Sequence, residues 1–285
     1  MGILMQGDRV GVLAASNAVL PERKTETDAL FEALTDMGLN PVLGDFVYGD
    51  IFSGSPEDKA DVLNDFYRDS SIKAIFDISG GDLSNSLLPY LDYRIIKKRK
   101  TPFFGYSDLT TLINGIYAKT GNAAFLYQVA NIVRDGSGVQ KIRFKESILG
   151  RDNSLFDLND CRYLQGTSMN GEVIGGNIRC FLKLAGTEYM PDFNRKILFL
   201  EANSGDEARI FSYLNQLKQL GVFEKIKGVL LGNFTEMEDN NKNIGRLLLQ
   251  VMDNKKIPVA KTDQVGHGLL SRCIVIGREY VMLRQ

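Results

Sequence analysis

The chain has 285 residues, 44% hydrophobic and 24% charged, with a formal net charge of −1. That length suits two domains or one large one, and the balanced charge gives no long-range attraction for nucleic acid or an anionic membrane. No apolar run approaches the ~18 residues of a bilayer span, and the start MGILMQGDRVGVLAAS lacks a basic segment, so it reads as a first strand rather than a signal peptide.

Residues 9–16, RVGVLAAS, predict a short buried strand. Residues 21–38 predict a helix, with Leu30, Leu34 and Met37 at helical spacing and Gly38 as its stop. A short strand follows at 41–43. Ser55 and Pro56 then open a helix that carries Val62 and Phe66 on one face. Residues 72–79, IKAIFDIS, are a strand ended by Gly80-Gly81, and 84–96 read as an interrupted helix. Residues 102–106, PFFGY, are another strand, followed by a helix over 108–119. This alternation predicts an α/β fold whose N-terminal domain is a flavodoxin- or Rossmann-like parallel sheet covered on both faces. Ligands of such sheets bind beyond the carboxyl ends of the strands. The loops after Ser16, at Gly80-Gly81 and at Ser107 fall there.

Residues 134–161 are polar, rich in Gly and Asp, and read as a connection. After them come the segment 171–177, strand 196–201 and helix 206–221, which places Ile210, Leu214 and Leu217 on one stripe. Strand 227–234, helix 243–253 and strand 257–262 follow, and 273–284 predict a hairpin around Gly277-Arg278. The expected division is a nucleophile domain over 1–133, a connection over 134–168 and a smaller C-terminal β/α domain over 169–285.

Cys161, Cys180 and Cys273 are widely spaced and odd in number, which argues for free thiols in a reducing cytoplasm rather than a disulfide framework or a cysteine zinc site. The chain has one histidine and no tryptophan. A histidine-rich metal site is therefore excluded, and no metal or other cofactor is expected.

Ser107 lies where an apolar strand turns into a helix. Such a turn exposes the side chain beside free helix N–H groups, which suits a nucleophile attacking a carbonyl. Serine before Asp-Leu-Thr-Thr is equally a good N-cap. A serine nucleophile needs a base, and the one candidate is His267, in the Gly-His-Gly loop of 264-QVGHGLLS-271. Glu201 ends the strand KILFLE, where a carboxylate can orient the imidazole or merely face solvent. The N–H of Asp108, with that of Gly81, would form the oxyanion hole, although Gly80-Gly81 also reads as a turn needing positive φ. A substrate carboxylate needs a donor, and Arg209 or the Gly80-Gly81 amides are candidates.

These motifs resemble the LD-carboxypeptidases, the serine peptidase family that includes muramoyltetrapeptide carboxypeptidases and microcin immunity hydrolases. GDRVGVLAAS resembles the family's opening strand, IKAIFDISGGDLSNSLLPYLDY its Gly-Gly segment, and PFFGYSDLT its GxSD nucleophile segment. IGGNIRCFLKLAGTEYMPDFNRKILFLE and VGHG resemble the stretches bearing its acid and its histidine. The resemblance implies a Ser107–His267–Glu201 hydrolase with its site between two domains, commonly a cytoplasmic homodimer. It implies removal of the terminal D-alanine from a murein tetrapeptide, while the balanced charge leads to the expectation of no nucleic-acid or membrane partner. Where many members read Gly-Gly-Tyr-Gly, this chain reads Gly80-Gly81-Asp82-Leu83 and continues Ser84-Asn85, which resembles the branch that cleaves aminoacyl nucleotides. Ala202-Asn203 follow Glu201, where the family often has a further acidic residue. A non-catalytic ligand-binding relative is the third alternative.

Overall fold

The computed structural model describes residues 2–284. Among these residues twelve strands run in chain order. The first five are β1 (Arg9–Leu13), β2 (Asn40–Leu43), β3 (Ile72–Asp77), β4 (Phe103–Gly105) and β5 (Ala124–Leu126). Then come β6 (Arg162–Gln165), β7 (Ser168–Asn177), β8 (Ile197–Ala202) and β9 (Gly228–Phe234), followed by β10 (Val259–Lys261), β11 (Ile274–Ile276) and β12 (Glu279–Leu283). They form two six-stranded sheets, ordered β11-β5-β4-β3-β1-β2 and β12-β7-β8-β9-β10-β6. β1 to β5 are mutually parallel, as are β7 to β10, and antiparallel strands stand at the edges. The α/β architecture with an N-terminal parallel sheet is the one the sequence predicts.

The local reasons are those of buried parallel sheets. β3, β8 and β9 are almost wholly buried runs of Ile, Leu, Val and Phe, because helices cover both faces. The helix Pro56–Arg68 starts with a capping box, Ser55 accepting from the Asp58 amide and Asp58 from the Ser55 amide, with Pro56 at its first position.

Two expectations are corrected. The last segment is no hairpin: β11 pairs antiparallel with β5 in the first sheet, and β12 pairs antiparallel with β7 in the second. Gly277, at φ +82°, turns the chain from one sheet to the other, and a Cβ there would lie 2.6 Å from the Tyr117 ring. The segment 134–161 is also not a bare connection. It forms the helix Val139–Ile148, whose Phe144 and Ile148 are buried against the first sheet's core.

The two sheets meet along the helix Thr110–Thr120 that follows Ser107. Asn114 Nδ2 donates to the Gly175 carbonyl at 2.8 Å and its Oδ1 accepts from the Gly175 amide at 2.9 Å. One turn earlier, Thr110 Oγ1 accepts from the Asn177 amide at 3.1 Å. Thr110 and Asn114 share a helix face by their i,i+4 spacing. Asn177 in turn lies opposite Glu201 in the β7–β8 ladder. The helix that follows the serine is thus registered against β7, the neighbour of the strand that carries Glu201. Close approach requires glycine at position 176, where φ is +140° and a Cβ would sit 2.7 Å from Thr110 Oγ1. Gly176→Ala should therefore misalign the halves and lower Tm by roughly 5 °C or more, since overpacking costs about 1–3 kcal/mol before backbone strain is added. Differential scanning calorimetry checks this, and an unchanged Tm would refute the tight-junction account.

Candidate active site

β4 ends at Gly105, Tyr106 is extended at φ −146°, and Ser107 then adopts φ +57° as it opens a 3₁₀ turn, Ser107–Leu109, into the helix. A left-handed conformation at a non-glycine residue costs about 1–2 kcal/mol and is stored where function needs a side chain held out. The Ser107 hydroxyl caps neither start: no side-chain cap bond is made at the turn or at the helix. Instead Ser107 is half-buried on the wall of a cleft of ≈ 470 Å³ that also has Tyr106, His267, Gly80, Gly81, Asn17 and Asn131 on its lining.

His267 comes from the second half of the chain, in the loop after β10. Its Nδ1 is 2.7 Å from Glu201 Oε2, with Glu201 fully buried. That contact leaves Nε2 as the ring nitrogen available to the cleft. No hydrogen bond joins His267 to the Ser107 hydroxyl, although both line the same cleft. Such bonds are often long without substrate and tighten when it binds. Glu201 sits inside β8, beside a register shift in the β8–β9 ladder. Bulges of this kind re-aim side chains near functional sites.

The histidine loop is clamped from both halves. The Asn233 amide donates to the Val265 carbonyl at 2.9 Å, so the loop lies on the end of β9. From the first half, Gln140 Nε2 donates to the Ser271 carbonyl at 2.6 Å and Arg143 to the Leu270 carbonyl at 3.1 Å. Tyr106 packs edge-on against the imidazole, with ring centroids 4.9 Å apart. Burial, then the adjacent Glu201 carboxylate, pushes the Tyr106 hydroxyl well above its ordinary pKa, so it stays protonated.

At the other lip, the Gly80 carbonyl accepts from the Asn17 amide at 3.2 Å. In a trans peptide the Gly81 N–H then points the opposite way. Gly81 has φ +126°, and a Cβ would overlap Asn17 at 2.1 Å. The Asp108 amide belongs to the first helical turn, whose N–H groups lack intrahelical acceptors.

The Asp108 side chain turns inward, fully buried. It accepts from Ser16 Oγ at 2.7 Å, from the Ser84 amide at 2.9 Å and from Lys183 Nζ at 2.5 Å. Burial would raise its pKa, but the Lys183 bond, the Ser84 amide and the Lys183 charge together hold it below the ordinary 3.8. Lys183→Met leaves this carboxylate buried without its cation. A cost of about 3 kcal/mol is expected, at the low end for a broken buried pair because two donors remain. A carboxyl with depressed folded pKa stabilises above its unfolded value and loses that contribution as pH falls through its folded value. The gap in Tm between native protein and Lys183→Met should therefore be full near pH 7 and close as pH falls through the depressed folded value of Asp108. A gap independent of pH would refute the ion-pair explanation.

Gly80, Gly81, Ser107 and His267 line the cleft, and Glu201 backs His267 from below. Arg209 does not line it: it is exposed at the start of the helix Glu207–Gln219, where its amide is capped by Asp206. Arg23 and Arg134 are on the wall instead.

Residues 10–127 match the family model described as LD-carboxypeptidase N-terminal domain, and residues 170–282 match the LD-carboxypeptidase C-terminal domain. The chain belongs to the LD-carboxypeptidase family. It is 30% identical to the microcin C7 self-immunity protein MccF of Escherichia coli over 93% of this chain and 87% of that protein. It is 27% identical to a probable murein peptide carboxypeptidase of Bacillus subtilis, over 98% and 90% respectively. The structure of MccF in complex with glutamyl sulfamoyl guanosine superposes with a TM-score of 0.85 at 26% identity, covering 99% of this chain and 97% of that one. Family membership makes the chain a hydrolase of the serine peptidase class. Among the described residues no helix is long and apolar enough to cross a membrane.

Proposed function

We propose that the protein is a serine carboxypeptidase that hydrolyses the amide bond to the terminal D-alanine of murein tetrapeptides. The observation that carries this reading is the left-handed Ser107 facing a cleft shared with a histidine whose Nδ1 is held by a buried glutamate. Ser107 Oγ attacks the scissile carbonyl while His267 Nε2 takes its proton, and Glu201 accepts the Nδ1–H bond and stabilises the imidazolium. The Gly81 and Asp108 amides receive the developing oxyanion. His267 then gives the proton to the departing D-alanine nitrogen, leaving an acyl-enzyme on Ser107. Water, deprotonated by His267, hydrolyses that ester and restores the serine.

The setting proposed is the cytoplasm, where the free Cys161, Cys180 and Cys273 suit a reducing compartment, and the proposed state is a homodimer. Light scattering on the purified protein checks the latter. A second reading is hydrolysis of a peptidyl or aminoacyl nucleotide amide, favoured by the likeness to MccF bound to glutamyl sulfamoyl guanosine. Mass spectrometry of a synthetic murein tetrapeptide and an aminoacyl nucleotide amide, each incubated with native protein, separates the two. D-Alanine release supports the first. Cleavage of the nucleotide conjugate alone would replace it with the second.

A further inference from the structure

The cleft has one charged wall that the triad does not use. Among the described residues lining it, Arg23 and Arg134 are the only permanent charges, and no carboxylate faces in. Both guanidiniums converge on one oxygen of Glu26, Arg23 Nη2 at 2.9 Å and Arg134 Nη2 at 2.6 Å. Burial would raise the Glu26 carboxyl, but the two arginines outweigh that and keep it ionised. Two cations against one anion leave this wall net positive. A guanidinium has five donors, so each arginine keeps several for a ligand after its bond to Glu26. The converging contact also fixes both forks in place before anything binds, which lowers the ordering cost of binding. Gln128, Asn131 and Arg134 recur at intervals of three and all line the cleft, and Gln128 Oε1 is buried there with no partner. That atom is an acceptor awaiting an N–H.

We propose that Arg23 and Arg134, preset by Glu26, form an anion subsite that binds an oxyanion group of the substrate, a carboxylate or a phosphate, away from the oxyanion hole at Ser107. The inference rests on the Ser107 cleft being the hydrolytic site. It deepens that reading by requiring an acidic substrate. Arg23 and Arg134 are specificity residues in this account, and they should act on KM rather than on kcat.

Calorimetric titration at low ionic strength with inorganic phosphate and with glutarate tests the subsite without any turnover. Arg23→Gln and Arg134→Gln should each weaken binding at least about fivefold, whereas Arg209→Gln, outside the cleft, should leave it unchanged. Equal binding by native protein and both cleft variants would overturn the proposal. If Arg134→Gln fails to fold, Arg23→Gln decides, because its pair with Glu26 is a half-exposed i,i+3 contact of little structural weight. A kinetic arm identifies the source of the anion. With the preferred substrate, either arginine variant should raise KM about tenfold and leave kcat within about twofold. Amidating each tetrapeptide carboxylate in turn, or removing the phosphate of the nucleotide conjugate, should abolish that sensitivity for one group only. A KM unmoved by both variants would also overturn the proposal. Anion binding that follows the arginines in a protein hydrolysing neither substrate would leave the subsite standing and remove the hydrolase reading.

Discussion

Ser107→Ala should lose at least about 10⁴-fold in turnover while folding normally, since a triad works as a unit and removing its nucleophile forfeits nearly all the chemistry. Ser107→Gly sharpens the test. The hydroxyl makes no cap bond at either helical start, so neither substitution removes a stabilising contact there. At φ +57° the backbone is strained for any residue with a Cβ. Alanine keeps that strain, and its Tm should match the native value within a degree or two. Glycine relieves it, and after its larger loss of unfolded-chain entropy a net gain of about 0.5–1 kcal/mol, or a few degrees, is expected. A capping serine predicts the reverse, a loss of about 0.5–2 kcal/mol on truncation to alanine. Kinetics on the cleaved substrate together with calorimetry distinguish the accounts. Hydrolysis by Ser107→Ala within tenfold of native would remove Ser107 as the nucleophile.

Much of the framework was legible because it obeys local rules. Runs such as IKAIFDIS and KILFLE are continuous and apolar, which is how strands buried on both faces must read, and Gly38, Gly121 and Gly221 mark helix ends while Pro56 marks a helix start. Ser107 was legible because it follows an apolar strand closely, Glu201 because it is the charge that closes the apolar run KILFLE, and His267 because it is the one histidine and sits between two glycines. What escaped is what depends on pairing at long range. β11 and β12 look like a hairpin, since alternation and a Gly-Arg turn are all that sequence displays. Their partners, β5 and β7, are more than a hundred residues away. The same is true of Lys183, whose bond to Asp108 spans 75 positions and has no local signature. Arg209 was a candidate because it follows Glu201 closely in sequence. The intervening turn sends it to the surface, and Arg23 and Arg134, at the ends of the short helices Pro21–Arg23 and Asn131–Arg134, line the cleft. The helix Val139–Ile148 was obscured by its polar faces, because only a narrow stripe including Phe144 and Ile148 is buried.

Glu201→Gln should lower kcat by about 10⁴-fold and leave KM nearly unchanged, because Glu201 backs the imidazole without lining the cleft. The reason is a matter of which atoms can donate. Glu201 Oε2 accepts the Nδ1 proton at 2.7 Å, and this places the free lone pair on Nε2, where a base must have it. Glu201 Oε1 and the Tyr106 hydroxyl are both buried without a well-formed hydrogen bond, and the two groups are near enough for the carboxylate to push the phenol's pKa up. Glutamine at this position will turn its carbonyl oxygen toward that hydroxyl, since a phenol kept protonated is a donor. Its NH₂ then faces His267 and forces Nδ1 to accept. The proton moves to Nε2, and the imidazole can no longer take one from Ser107. Tyr106→Phe removes this preference and gives the amide freedom to present its oxygen to His267. The double variant Tyr106→Phe/Glu201→Gln should therefore recover part of the lost kcat, by tenfold or more, a sign that two independent defects cannot produce. Steady-state kinetics on the four members of this cycle measures it. A double variant no faster than Glu201→Gln would reject tautomer control by Tyr106. A Glu201→Gln enzyme within tenfold of native would reject Glu201 as the group that orients the base.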